Sequence, residues 1–200
     1  MDDVSRLRLF AAVAIPDEHL TWLKESTGGL RELWPHARWT PPENQHVSLK
    51  FLGTTPPDRL EPISQVMKMV ASGRPRAEVS LGQLGSFPSS TRVRVLWAGL
   101  EDPGDLLAGL AGDLGSALEP LGYPVEEREF RPHLTLARFR EPVRPADPLP
   151  ELDTGSLPSV PVNSIELFRS HLSPRGARYE VVESFPLGAS SPSRGRFEGE

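Results

Sequence analysis

The chain has no cysteine. That excludes a disulfide staple, a thiolate nucleophile and any cysteine zinc site. Long hydrophobic runs are also missing. The longest clean one, Leu9 to Ile15, covers seven residues, far short of the roughly 20 that span a bilayer. The N-terminus lacks the basic-then-apolar layout of a secretory signal. Positive charge is not in excess either: Lys+Arg number 22 against 27 Asp+Glu, a net charge of −5. A broad polyanion-binding surface is therefore excluded, and neither DNA nor a membrane is expected as a partner. What remains is a soluble, cytoplasmic, globular protein of 200 residues. It is long enough to bury a real core, and a monomer is expected. Lysine is scarce as well. Only Lys24, Lys50 and Lys68 occur, so 19 of the 22 basic residues are arginine. That excess reads mostly as base composition of the coding sequence, although the planar guanidinium fork also suits phosphate.

Pro and Gly are plentiful, at 22 and 17, and they punctuate a mixed pattern. Arg6 to Ala14 reads as a strand that becomes buried. Pro16-Asp17 starts a helix carrying Leu20, Leu23 and Leu30, with a stop near Gly28-Gly29. Gln45 to Leu52 alternates like a strand and ends at Gly53. A helix from about Asp58 places Ile63, Val66 and Val70 on one face, with Pro62 in its first turn. Glu78–Leu84 and Thr91–Leu100 read as strands joined by turn signals at Gly85, Pro88 and Ser89-Ser90. Asp102-Pro103 opens a helix with Asp as cap and Pro as first residue. It carries Leu107, Leu110, Leu114, Leu118 and Leu121 and stops at Gly122. Glu127 to Phe139 is a further strand, and residues 140–161 an irregular connection. Val162–His171 and Arg178–Glu183 form a hairpin. Residues 189–200 have the composition of a disordered tail. This order is not the strict alternation of a parallel doubly wound sheet. An α+β fold with antiparallel sheets is expected.

One tetrapeptide pattern occurs twice: His46-Val47-Ser48-Leu49 and His133-Leu134-Thr135-Leu136, 87 residues apart. The chain has 5 His and 27 Leu, and by composition roughly 0.09 such matches would arise by accident. Both copies lie in expected strands, where alternate side chains share a face. His46 thus shares a face with Ser48, and His133 with Thr135, each backed by apolar residues. A pseudo-two-fold would bring the two polar faces together across one cleft. Two imidazoles near neutrality can act as acid and base without a metal, and hydroxyls can bond phosphate oxygens. A zinc site needs a further ligand, and neither motif has one at ligand spacing. His19 and His36 lack a companion motif and read as ordinary structural histidines.

The two motifs occur with Leu9-Phe10-Ala11, Phe51-Leu52-Gly53 and Pro132 with Arg138. Further along are Arg92 to Trp97, Leu167 to Leu172 and Gly176 to Tyr179. Over residues 6–183 the chain resembles the 2H phosphoesterase superfamily. Within it, the chain is similar to the bacterial and archaeal RNA 2′,3′-cyclic phosphodiesterases, the LigT-like group. The resemblance implies a bilobal α+β fold with two pseudo-symmetric lobes of antiparallel sheet around a central cleft. Residues 1–188 would form this single bilobal unit. It also implies metal-independent, cofactor-free opening of a 2′,3′-cyclic phosphate to a 2′-phosphate, with RNA ends or nucleotides as partners. Reverse 2′-5′ ligation is a further possibility of the same chemistry. By the same resemblance His46 is the proton donor and His133 the proton acceptor, and Ser48 and Thr135 hold phosphate oxygens. Serine stands where the family usually has threonine, and the hydroxyl is kept.

Arg138 follows His133 by five residues, and the same offset from His46 gives Phe51. The resemblance gives Arg138 a phosphate role. Phe51 is a core residue or a base-stacking one. Strict alternation would put Arg138 on the face opposite His133, so a bulge or a strand end must intervene. Two rival functions stay open: a phosphodiesterase for small cyclic phosphates or 2′-5′ oligonucleotides, and an RNA-end-binding module without turnover.

Overall fold

The structure, a computed structural model, describes residues 7–146, 148–157, 159–173 and 176–188. The expected tail at 189–200 lies outside the described residues, as do Pro174 and Arg175 of the expected hairpin turn. The chain forms β1 (Leu7–Ala14), α1 (Asp17–Ser26), α2 (Gly28–Leu33), β2 (Arg38–Trp39) and β3 (His46–Thr55). Next come α3 (Leu60–Ser72), β4 (Ala77–Ser89), β5 (Arg92–Glu101) and α4 (Leu106–Leu118). The last elements are β6 (His133–Val143), β7 (Val160–Val162), β8 (Ser164–Ser173) and β9 (Gly176–Pro186).

All strand pairings are antiparallel, in the order β7-β4-β5-β6-β3-β1-β8-β9, with β2 on β6. The order is nearly palindromic about its centre. There β3 and β6, the two strands that carry the repeated motif, meet through one pair, Val47 opposite Leu134. Each half repeats a path of strand, helix and motif strand: β1 to β3 through α1 and α2, then β5 to β6 through α4. The chain then crosses over. After β3 it passes through α3 to β4 in the other half, and after β6 it returns to β8 beside β1. The fold is α+β and bilobal, and each lobe is assembled from separated stretches of sequence.

The core follows the apolar spacing. Leu107, Leu110, Leu114 and Leu118 of α4 are all fully buried, as are Ile63 and Met67 of α3. The two helices pack on each other, and the Arg74 guanidinium bridges to Asp113 at 2.7 Å. Val66, expected on the buried face of α3, is half-buried, and Met67 takes the deep position.

Several expected boundaries move, each for a local reason. The first helix breaks at Thr27, whose Oγ1 donates to the Leu23 carbonyl at 2.7 Å. Gly28 and Gly29 then begin α2 instead of ending α1. Gly53 does not end β3, which continues to Thr55. Gly85 and Pro88 lie inside β4 rather than in a turn. Pro88 sits at a register shift near the strand end, a place where a sheet tolerates proline. Gly85 leaves room for the Trp97 ring, which a Cβ there would run into. Pro103 is not the first residue of α4, which begins at Leu106. Leu121 falls in a separate short 3₁₀ turn before Gly122, whose φ of 90° ends the unit. Residues 127–132 are irregular because β6 starts at His133, after Pro132 and an exposed charged run. The strand then extends past Phe139 to Val143. Part of the expected irregular connection is the three-residue strand β7, and the expected strand from Val162 divides at Asn163 into β7 and β8.

Asp102 caps α4 across the intervening turn. Its carboxylate accepts from the N–H groups of Leu106 at 2.9 Å, Leu107 at 2.7 Å and Ala108 at 3.3 Å. These are donors with no partner inside the helix. Asp102→Ala is expected to lower stability by about 1–2 kcal/mol. Urea unfolding would check this, with the midpoint falling and the slope unchanged.

Candidate active site

β3 and β6 share one irregularity, and it builds the site. In β3, Ser48 lies opposite Ala12 and Lys50 opposite Ala11, so Leu49 is an extra residue. In β6, Thr135 lies opposite Trp97 and Ala137 opposite Leu96, so Leu136 is the extra residue. Both strands therefore bulge directly after the hydroxyl residue. A bulge resets the alternation of faces. Arg138 joins His133 and Thr135 on one side, and Phe51 joins His46 and Ser48. One pocket of about 330 Å³ is lined by His46, Ser48, Phe51, His133, Thr135 and Arg138. All six sequence-predicted residues thus reach the same cavity. Phe51 is not core: it is 61% exposed.

Each imidazole is pinned from behind and walled by rings. His133 Nδ1 donates to the Arg131 carbonyl at 2.6 Å when that nitrogen carries the proton. His46 is also hydrogen-bonded to the backbone of Asn44, again two residues earlier. His46 lies 4.7 Å from Phe10, 5.1 Å from Tyr179 and 5.7 Å from Phe168, between ring centroids. His133 lies 5.2 Å from Phe87 and 5.9 Å from Trp97. Phe168 on β8 and Phe87 on β4 occupy corresponding places in the two lobes, one strand beyond β1 and β5.

These walls set the charge state. Burial pushes the His46 pKa down to about 4, and the His133 and Arg138 charges push the same way against the Asn44 hydrogen bond. Burial also lowers the His133 pKa, opposed by the Arg131 carbonyl and assisted by Arg138. Both imidazoles are therefore neutral at pH 7 in the free protein. A neutral imidazole whose Nδ1–H is held by a carbonyl presents an unprotonated Nε2. Arg138 itself forms no ion pair among the described residues, so its charge is available to the pocket.

The ring wall is not identifiable as such in the sequence. Its signal lies in the aromatic members of the flanking motifs, in a chain with only 8 Phe, 4 Trp and 2 Tyr. Without the sheet order, nothing links Phe87 or Tyr179 to a histidine. Among the described residues, no group of three or more His, Asp or Glu side chains is placed to hold a metal ion. None of the described helices is long and apolar enough to cross a membrane.

Residues 13–97 and 99–179 match the family model of LigT-like phosphoesterases. An RNA 2′,3′-cyclic phosphodiesterase of Geobacillus stearothermophilus is 30% identical over 203 residues. That alignment covers 98% of this chain and 63% of the relative, so the chain spans less than two thirds of that protein's length. An RNA 2′,3′-cyclic phosphodiesterase of Methanothermobacter thermautotrophicus is 32% identical over 190 residues, covering 91% of this chain and all of the relative. A crystal structure from Thermus thermophilus superposes with a TM-score of 0.77 at 31% identity, over 92% of this chain and all of that one. The chain belongs to the LigT-like phosphoesterase family.

Proposed function

We propose that the protein hydrolyses the 2′,3′-cyclic phosphate at an RNA end or on a nucleotide, giving a 2′-phosphate. The observation that carries this reading is the convergence of two imidazoles, two hydroxyls and one guanidinium on a single pocket. The relatives named RNA 2′,3′-cyclic phosphodiesterase support it. His133 takes a proton from water through its free Nε2 as the water oxygen attacks phosphorus. The P–O3′ bond breaks, and His46 gives its proton to the leaving O3′. Ser48 and Thr135 donate to the non-bridging oxygens, and Arg138 balances the charge that grows on them. Phe51 offers its exposed face to the terminal base. Two imidazoles supply both proton transfers, so the proposed step needs neither metal nor cofactor. We also assign residues 1–188 to one bilobal unit that acts as a monomer in the cytoplasm.

The burial of His46 imposes one condition. Its imidazole holds a proton near pH 7 only when a negative charge sits beside it. The bound cyclic phosphate is that charge. The acid is thus armed by substrate and stays neutral in the empty site.

Four outcomes are expected. His46→Ala and His133→Ala each lower kcat/KM on a 2′,3′-cyclic mononucleotide by about 10²–10⁴. EDTA leaves wild-type activity unchanged, and the product carries its phosphate on the 2′ oxygen. Full activity in either variant would overturn the assignment. By NMR titration, the His46 imidazole protonates well below pH 6 in the free protein, and its pKa rises when inorganic phosphate is added. Stability follows the same shift. With a folded-state pKa below the unfolded one, His46 contributes fully above about pH 6.5, and that contribution is lost as pH falls toward about 4. The loss amounts to about 3 kcal/mol at most. In His46→Gln, urea unfolding across that window should show a shallower decline.

A further inference from the structure

We infer that Asn44 is a positioning residue for the proposed hydrolysis: it joins His46 to the strand that carries Tyr179 and keeps the ring wall closed on that histidine. This role rests on the phosphodiesterase reading and adds to it a residue outside the two repeated motifs. Asn44 ends the 3₁₀ turn Pro42–Asn44 and lines the histidine pocket. It makes bonds in two directions. Its backbone is bonded to the His46 ring, and that bond favours the protonated imidazole, so the Asn44 carbonyl is the acceptor. Its side-chain Nδ2 donates to the Ala177 carbonyl on β9 at 2.7 Å, across 133 residues of sequence. Ala177 and Tyr179 alternate along β9 and share a face, and both line the pocket. The Tyr179 ring stands edge-on to His46 and to Phe10, 5.1 Å from each between centroids.

This part of the wall needs a tie. Phe10 and Phe168 are buried, on β1 and β8, and each of these strands has a neighbour on both sides. Among the described residues β9 pairs only with β8, at the edge of the sheet. Tyr179 is half-buried, and both Leu172, opposite Ala177, and Val181 are exposed. Core packing therefore does little to press this stretch of β9 against His46, and the Asn44 amide supplies the hold. The Asn44 carbonyl, by contrast, is fixed without the side chain. Pro41 and Pro42 restrict the backbone. Asn44 N donates to the Pro41 carbonyl and Gln45 N to the Pro42 carbonyl, each at 2.9 Å. Gln45 Nε2 donates to the Thr40 carbonyl at 3.1 Å. Removing the amide thus loosens the wall and leaves the carbonyl on the ring. The second motif has no such tie. The Arg131 carbonyl holds His133, but the Arg131 side chain is exposed and pairs with Glu129.

Asn44→Ala supplies the test. His133 and Arg138 on β6 are the charges that act on His46, and Arg8 on β1 lines the same pocket. The substitution alters none of them. With the wall loosened, water reaches the imidazole, and by NMR titration of the free protein the His46 pKa rises from about 4 toward its ordinary value. On a 2′,3′-cyclic mononucleotide kcat falls about tenfold with KM little changed, because the orientation of the proton donor is lost rather than a contact to substrate. Tyr179→Ala removes the ring and keeps the amide, and it raises the His46 pKa in the same way. The double variant adds nothing to that rise, since both changes open one wall. Asn44→Leu keeps the volume of the amide without its donor, and it gives the same result if the alanine variant does not fold. An unchanged His46 pKa, additive shifts in the double variant, or a raised KM at constant kcat overturns the positioning role. If wild type does not turn over the cyclic mononucleotide, the hydrolase reading fails. The titrations need no turnover, and in that case they still decide whether Asn44 holds the wall on His46.

Discussion

A strand that follows strict alternation can offer a catalytic face only every second residue. His133, Thr135 and Arg138 break that rule, at offsets of two and then three. The extra residue directly after each hydroxyl resolves it, and everything else at the site depends on that bulge. It sets Arg138 beside the imidazole that it polarises, and it brings Phe51 to the mouth of the cleft. Leu49 and Leu136, the inserted residues, stay buried at 5% and 1% exposure, so each kink is held by core packing rather than left to a mobile loop. The one bridge between β3 and β6, Val47 opposite Leu134, then fixes the two bulged strands relative to each other. The joint lies between residues that flank the functional ones, on the apolar side of each motif.

Aromatic rings packed on His46 and His133 remove part of their hydration, which strengthens their electrostatic interaction with an anion. The same walls hold both imidazoles neutral when the site is empty. Carbonyls at Asn44 and Arg131 work against that penalty and orient the rings. Arg138 works with it and lowers the affinity of both imidazoles for protons. In the proposed reaction, bound phosphate reverses the sign at the pocket. An anion compensates Arg138 and favours an imidazolium, so substrate binding and protonation are coupled.

Four of the residues that line the pocket were legible because they repeat: two tetrapeptides at strand spacing named His46, Ser48, His133 and Thr135. The need for a bulge at Arg138 was also legible, since alternation alone contradicted a shared face. Its location and its duplicate in β3 were not, because the pairs Leu49-Lys50 and Leu136-Ala137 carry no turn residue. Turn chemistry misled at Gly85 and Pro88. Glycine there answers a tertiary demand, the space taken by Trp97, which a local rule does not see. The helix from Asp102 was recognised by its leucine spacing and its cap, but the intervening turn that ends at Asp105, with φ 51°, was not. The crossover topology was beyond local reading altogether. It depends on which sheet edge each strand joins, and short strands such as β7 carry too few residues to declare it.

The two halves share a frame, yet the proposed chemistry requires them to differ. A base must gain a proton as the acid gives one, and two equivalent imidazoles would share a single affinity. The differences sit at corresponding positions. Five residues after the histidine, one strand has Phe51 and the other Arg138. One residue earlier, Lys50 stands where Ala137 stands, and its ammonium is committed to the Pro124 carbonyl. His46 contacts three aromatic rings, His133 two. The outcome is a deeper desolvation of His46, which makes its protonation the more dependent on a bound anion. Duplicated strands therefore supply the placement, and the few positions where the copies diverge make the two imidazoles unequal.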